Sequence, residues 1–164
     1  MDKIYLTKEG YEEYLEEIEQ IRNSLDNNNH LKTEAYQTAV GDGWHDNFEY
    51  EQASLTEKAI EHNLIQMINN KKNIIIVDEP KNINNNLINI NDIFEAELKY
   101  SDNDIERSKF KLIGGYRPNN NNDIQEITLN SPIGKAVYLQ NINSNLNYIV
   151  NGKKVELRII SKVN

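Results

Sequence analysis

A ten-residue break, residues 41–50, separates two long stretches of sequence that are compatible with helices. Residues 9 to about 39 supply roughly 30 helical positions, which at ~1.5 Å of rise each would form a rod of roughly 45 Å. A turn that joins two antiparallel helices presents its side chains at the end of such a rod. We therefore expect the two carboxylates of the break, Asp42 and Asp46, to lie at its tip.

Apolar residues recur at steps of three and four on both sides of the break. They are Tyr11, Tyr14, Leu15, Ile18, Ile21 and Leu25, then Phe48, Leu55, Ala59, Ile60, Leu64, Met67 and Ile68. This period predicts two amphipathic helices that pack on each other as an αα-hairpin, with Thr7 as the first N-cap. The asparagines at residues 27–29 predict an irregularity, or a narrower seam toward the tip, because asparagine is a poor helix former.

The pattern changes from helical to extended in the second half of the chain. The segment from Ile74 to Val77 is short and β-branched, and Pro80 then breaks the chain. Beyond it, apolar and polar residues alternate over 94–100, at 110 and 112, and at 127 and 129, which predicts strands.

Two turn signals complete the second half. Asn151-Gly152 predicts a tight β-hairpin because both turn positions require positive φ. Ser131-Pro132 predicts the N-cap and first turn of a short helix that ends at about Leu139. The predicted fold class is α+β, with a coiled-coil helical hairpin in residues 1–79 and a small, mostly antiparallel sheet domain with one short helix in residues 80–164.

Composition narrows the class of protein. The chain has no cysteine, which excludes disulfides and thiolate metal sites. No charged and apolar leader opens the sequence, and no apolar run approaches the ~20 residues of a membrane span. We therefore expect a soluble, cytoplasmic monomer that does not associate with membranes.

The negative charge is concentrated in the predicted hairpin. Residues 11–68 carry thirteen acidic and three basic side chains, a net charge of −10, whereas residues 71–164 have a net charge of +2. An acidic rod would be repelled by free nucleic acid and attracted to a basic cleft. The alternative interpretation is an ordinary solvated face of a coiled coil.

The order of these motifs resembles that of the bacterial Gre transcript-cleavage factors, which are transcription elongation factors. The motifs are Leu6-Thr7-Lys8-Glu9-Gly10, then Gly41-Asp42 with Asn47-Phe48-Glu49-Tyr50, then Ser131-Pro132-Ile133-Gly134, and finally residues 152–163. The resemblance covers nearly the whole chain. It implies that the second domain has an FKBP-like fold and docks on RNA polymerase.

The resemblance also implies a function. The hairpin would enter the secondary channel of RNA polymerase and stimulate the polymerase's intrinsic cleavage of backtracked RNA. Asp42 and Asp46 would act as accessory catalytic carboxylates that hold a Mg²⁺ shared with the polymerase, only in the complex. The chain would then be no enzyme by itself, would hold no cofactor alone, and would meet the RNA 3′ end only indirectly.

The tip departs from the family pattern. In the family, two residues usually separate the Gly-Asp pair from a glutamate. Here three residues lie between Asp42 and the second acid, and that acid is Asp46 instead of a glutamate. The hairpin also has few bases with which to hold RNA. A Gre-like regulator that occupies the channel and inhibits or modulates the polymerase without cleavage is therefore an alternative, as are a prolyl isomerase and a plain coiled-coil adaptor.

Each candidate residue also has a second interpretation. Asp42 would suit an ordinary turn, and Asp46 with Glu49 would suit a capping box at the start of the second helix. Trp44 would either contact a partner or fold back on the hairpin. His45 would assist proton transfer, bind a metal or remain solvated.

The beginning of the short helix has two interpretations as well. Ser131 and Pro132 are candidates for the corner that contacts the polymerase, because this region faces the polymerase in the family. They also fit an ordinary cap and first turn.

Overall fold

The computed structural model describes residues 3–38, 47–78, 86–100, 104–119 and 123–163. The helices are α1 (Lys8–Thr38), α2 (Phe48–Lys71) and α3 (Pro132–Val137). The strands are β1 (Ile4–Leu6), β2 (Ile74–Ile76), β3 (Ile93–Lys99), β4 (Ile105–Ile113), β5 (Ile124–Thr128), β6 (Asn145–Val150) and β7 (Lys153–Val163). The predicted fold class is confirmed, since a long helical hairpin precedes a sheet domain with a short helix.

Helices α1 and α2 run antiparallel, because positions that advance along α1 pair with positions that recede along α2. Hydrogen bonds from side chains to backbone carbonyls join the two helices. They include Tyr14 Oη to Met67 O at 2.7 Å, Asn28 Nδ2 to Ala53 O at 2.8 Å, and Asn47 Nδ2 to Ala35 O at 2.6 Å. The seam is thus held by polar groups as well as by the apolar stripe.

The asparagines at residues 27–29 do not interrupt α1, so the irregularity expected there was wrong. Asn28 is buried, and its side-chain amide donates to the Ala53 carbonyl of α2. This bond satisfies a polar group that would otherwise be costly to bury, and it offsets the low helix propensity of asparagine, about 0.5 kcal/mol.

The first turn of α2 depends on Asn47. Its Oδ1 accepts from the Tyr50 N–H at 3.1 Å, which makes Asn47 the N-cap, while its Nδ2 donates to Ala35 O in α1. The interpretation of Asp46 and Glu49 as a capping box was therefore wrong by one residue. The same side chain both begins α2 and attaches it to α1.

The start of α1 is also fixed by a side chain, as predicted. Thr7 Oγ1 accepts from the Gly10 N–H at 3.1 Å, and the Thr7 N–H donates to Gly114 O at 3.0 Å. The backbones approach so closely that a Cβ on Gly10 would lie 2.2 Å from Gly114 O. Position 10 therefore has no room for a Cβ, so only glycine fits there without a steric clash.

The main sheet has five strands in the order β5-β4-β3-β7-β6, and β1 pairs with β2 in a separate two-stranded sheet. The neighbours in the main sheet are antiparallel except β4 and β5, which are parallel. The predicted β6–β7 hairpin is confirmed, with positive φ at Asn151 (51°) and Gly152 (76°). The buried core consists of Ile88, Ile90, Phe94, Ala96, Leu98, Phe110, Leu112, Ile127, Leu129, Val137, Val155, Leu157 and Ile159.

The chain forms two compact units. One contains Tyr14–Ile74, and the other contains Lys3–Glu13 together with Ile75–Asn164. The domain boundary between residues 79 and 80 stays a prediction. In the described ranges, no helix combines the length and apolar character that crossing a membrane requires.

Replacing Gly10 by alanine should destabilise the protein, even though the helix propensity of alanine is more favourable than that of glycine by about 1 kcal/mol. The new methyl group would overlap a backbone oxygen that cannot move aside, so we expect a net loss of about 1–3 kcal/mol in urea unfolding. Gly115→Ala is the matched control, because its Cβ meets the end of the Glu13 side chain, which can rotate away. A Gly10→Ala protein more stable than the wild type would contradict the close approach.

Replacing Asn47 by alanine should remove the cap of α2 and leave Ala35 O without its donor, at a cost of about 1–2 kcal/mol. Asn47→Asp keeps an oxygen for capping and loses only the donor to Ala35 O, so its loss should be smaller. Thermal unfolding followed by circular dichroism measures both variants. Equal losses would show that capping contributes nothing, and no loss in either would remove Asn47 from the account of the hairpin.

Candidate functional site at the connection end of the hairpin

The connection end of the hairpin, defined here as residues 28–38 and 47–57, flanks most of the predicted site. Asp42, Trp44, His45 and Asp46 lie outside the described residues, so their roles stay predictions. The structure describes the two helix ends from which the segment of residues 39–46 extends. That segment therefore follows Thr38 of α1 and precedes Asn47, the residue before α2.

The two helix ends are held together by one side chain. Asn47, the residue at which the segment returns, is bonded to Ala35, one helical turn before the last described residue of α1, Thr38. The segment that carries Asp42 and Asp46 is therefore closed at its base. Because Asn47 caps α2, the Asp46 carboxylate is not needed as the N-cap.

A cluster of side chains beside this closure, here called the tyrosine cluster, joins α1 to α2 and consists of Lys32, Tyr36, Tyr50 and Glu57. Lys32 forms an ion pair with Glu57, and its Nζ lies 5.6 Å from the centroid of the Tyr50 ring. The rings of Tyr36 and Tyr50 lie 6.1 Å apart at an angle of 52°. The hydrogen bond to Glu57 raises the pKa of Lys32, so this lysine remains a cation bound within the hairpin.

The ion pairs leave the hairpin's negative charge largely uncompensated. Of its three bases, Arg22 pairs with Glu19 at 2.5 Å, and Lys32 pairs with Glu57. These two cations are therefore already engaged by carboxylates of the same chain. The connection end offers an acidic surface, which repels nucleic acid and attracts basic protein surfaces.

A groove of about 660 Å³ lies at the same end and shares no lining residue with the tyrosine cluster. Its lining consists of Asn28, Leu31, Glu34, Ala35, Thr38, Phe48, Glu49, Gln52, Ala53 and Thr56. Leu31 and Phe48 are 61% and 72% exposed. The sequence pattern does not reveal this groove, because Phe48 fits the apolar period of the helix and was expected to pack in the seam.

Ser131 and Pro132 occupy the positions that the sequence predicts at the start of α3. Ser131 Oγ accepts from the Gly134 N–H at 3.0 Å and donates to Thr128 O at 2.7 Å, while Pro132 begins the helix and is exposed. The cap and first turn are confirmed. A contact between this corner and a polymerase stays a prediction.

Asn130, which the sequence analysis did not single out, anchors the start of the chain next to this corner. Its side chain accepts from the Tyr5 N–H at 2.7 Å and donates to Tyr5 O at 3.0 Å. An amide that bonds both backbone groups of one residue imitates a neighbouring strand. No local pattern marks such a pair, since the partners are 125 residues apart.

The metal ligands expected from the sequence are not among the described residues. Within residues 3–38, 47–78, 86–100, 104–119 and 123–163, no three histidine, aspartate or glutamate side chains converge on a metal position. Asp42 and Asp46 stay the predicted magnesium ligands.

No protein-family model and no curated protein matches the chain. Similar solved structures include GreA factor homolog 1 (Gfh1) of Thermus thermophilus, which is 20% identical over 99% of each chain with a TM-score of 0.43. Thermus aquaticus Gfh1 is 19% identical over 100% of each chain, with a TM-score of 0.45. The transcription elongation factor GreA/GreB from Nitrosomonas europaea is 13% identical over 70% of this chain and 93% of its own, with a TM-score of 0.38. These structural neighbours are Gre-type factors, the family that the sequence motifs resemble.

Proposed function

We propose that this chain is a Gre-type transcription elongation factor that binds bacterial RNA polymerase in the cytoplasm. Its hairpin enters the secondary channel and stimulates the polymerase's own cleavage of backtracked RNA. The chain is an accessory factor in this proposal, and the polymerase carries out the hydrolysis. The sheet domain docks on the outside of the polymerase, with Ser131 and Pro132 as its candidate contact and Trp44 as a further one at the tip.

The closed connection end is the observation that supports this proposal best. Asn47 ties α2 to Ala35 of α1 and caps α2 by itself. Both ends of the segment that carries Asp42 and Asp46 are thus fixed, while neither carboxylate is needed as the cap of α2. Carboxylates on a segment whose flanking residues are tied together would suit the completion of a site on another protein.

The residues present fit a shared Mg²⁺. This ion prefers oxygen ligands and is often held by only one or two carboxylates plus phosphate oxygens, which are the donors that Asp42, Asp46 and an RNA end would provide. When bound, the metal would activate water for phosphodiester hydrolysis. The chain itself contributes the two carboxylates, the tie at Asn47 that positions their segment, and the acidic field that directs the hairpin toward a basic channel.

A second candidate function is channel occupancy without cleavage. Two observations favour it. The spacing of Asp42 and Asp46 departs from the family pattern, and Arg22 and Lys32 are engaged in ion pairs within the hairpin instead of being available to RNA. A factor of this kind would slow RNA synthesis by stalled polymerase without shortening the transcript.

Asp42→Asn should abolish stimulated cleavage while polymerase binding changes by no more than about threefold, which is about 0.7 kcal/mol. The amide keeps the size of the side chain and removes the charge that a metal requires. The assay adds protein and Mg²⁺ to stalled, backtracked polymerase and follows RNA length. Asp26→Asn, an exposed acid elsewhere on α1, is the matched control and should cleave like the wild type.

The possible results separate the two candidate functions. Cleavage by the wild type that survives Asp42→Asn would remove Asp42 from the mechanism. Slowed synthesis with no RNA shortening by the wild type would select the channel-occupying regulator. Loss of polymerase binding in Asp42→Asn would make this residue a docking contact.

The free protein should not bind Mg²⁺ with useful affinity. Two carboxylates leave most of the octahedral shell to water, and Mg²⁺ gives up water reluctantly, so the remaining ligands must come from the polymerase and RNA. Calorimetric titration of Mg²⁺ into the free protein measures this directly. A saturating isotherm in the micromolar range, lost in Asp42→Asn, would instead indicate a metalloprotein that acts on its own.

A further inference from the structure

The groove at the connection end is lined by small and polar side chains as well as by two large apolar ones. Asn28 and Ala35 are buried there, and the Asn28 amide donates to the Ala53 carbonyl. The larger Leu31 and Phe48 line the groove and remain mostly exposed. A leucine and a phenylalanine left in water forgo the stabilisation that burial would give, so they are candidates for contact with a partner.

The rim of the groove is acidic. Glu34 and Glu49 line it beside the apolar residues, and none of the described lining residues is basic. The whole hairpin segment, residues 11–68, has a net charge of −10. An occupant must therefore combine apolar side chains for the floor with positive charge for the rim.

We propose that this groove binds a basic, amphipathic protein segment. Its apolar side chains lie between Leu31 and Phe48, and its lysine or arginine side chains face Glu34 and Glu49. The proposal rests on the proposed function in one respect, which is that the segment would belong to RNA polymerase. It adds to that function an apolar contact that holds the hairpin after its carboxylates have been brought near the reaction site.

The charge of the hairpin disfavours the other occupants. A second copy of this chain would bring two acidic hairpins side by side, and like charges repel. Nucleic acid and anionic membranes carry the same sign of charge as the rim. A basic protein segment is the occupant for which both the apolar and the charged contacts are favourable.

The first experiment uses the intact protein and a fluorescent synthetic helix of about five turns, with leucines on one face and lysines on the other. Anisotropy measures its binding. Phe48→Ala with Leu31→Ala should weaken binding at least about tenfold. Leu55→Ala with Ile65→Ala removes two equally exposed apolar side chains outside the groove, at 61% and 58%, and should change binding by less than about twofold.

Two further probes test the sign of the charge. The same peptide with glutamates in place of lysines, and a single-stranded RNA, should bind at least about tenfold more weakly than the lysine peptide. Glu34→Gln with Glu49→Gln should weaken the lysine peptide more than Glu16→Gln with Glu51→Gln, a pair of exposed acids outside the groove. Equal effects of the two glutamate pairs, or tighter binding of RNA, would overturn the proposal.

The same double variants are then compared for binding to purified RNA polymerase. Weaker binding by the groove variant alone supports both proposals. If both apolar double variants bind the polymerase as tightly as the wild type does, the groove proposal is overturned and the proposed function stays intact. If the wild type does not bind the polymerase but binds the lysine peptide in a way that depends on Phe48 and Leu31, the proposed function is overturned and the groove proposal stands. Absence of lysine-peptide binding would overturn the groove.

Discussion

The two hydrogen bonds of the Asn47 side chain hold the connection end of the hairpin together. One satisfies the Tyr50 N–H, an orphan donor in the first turn of α2, and the other reaches the Ala35 carbonyl of α1. An asparagine can make both bonds because its amide has an acceptor and a donor on the same short side chain. The register of the tyrosine cluster, the groove and the base of the segment at residues 39–46 all depend on this junction.

Polar and small residues in the seam have a structural cost and a functional consequence. Asn28, Ala35 and Ala53 bury less apolar surface than leucines would, and the hairpin recovers stability through hydrogen bonds to backbone carbonyls. These three residues also line the groove. In the proposed function, negative charge directs the hairpin to its partner, and the exposed apolar side chains prolong its stay there.

Sequence patterns predicted the elements whose signals are local. The apolar period of three and four residues located both helices, and the cap of α1 followed from Thr7. Asn151-Gly152 located the final hairpin because positive φ is demanded at adjacent positions. The assignment of Asp42 and Asp46 as site residues stays a prediction, because their segment lies outside the described residues.

Other features depend on tertiary context, and sequence patterns did not predict them. Strand β1 has three residues, too few for a period, and its position relies on Asn130 far along the chain. The asparagines at residues 27–29 looked unfavourable because of their low helix propensity. The hydrogen bond that compensates Asn28 has its acceptor, a backbone carbonyl, on another helix, so no local pattern indicates it. The parallel pairing of β4 with β5 leaves no local signal either, since strand direction follows from the connection between the strands.

The central claim is that the connection end of this hairpin reaches the active site of RNA polymerase. Cryo-electron microscopy of the protein bound to a backtracked polymerase complex tests it most directly. The account predicts α1 and α2 inside the secondary channel, with residues 39–46 beside the catalytic metal and the groove between Leu31 and Phe48 filled by a basic segment of the channel. A complex in which the hairpin lies outside the channel, with the connection end free of contact, would contradict the account.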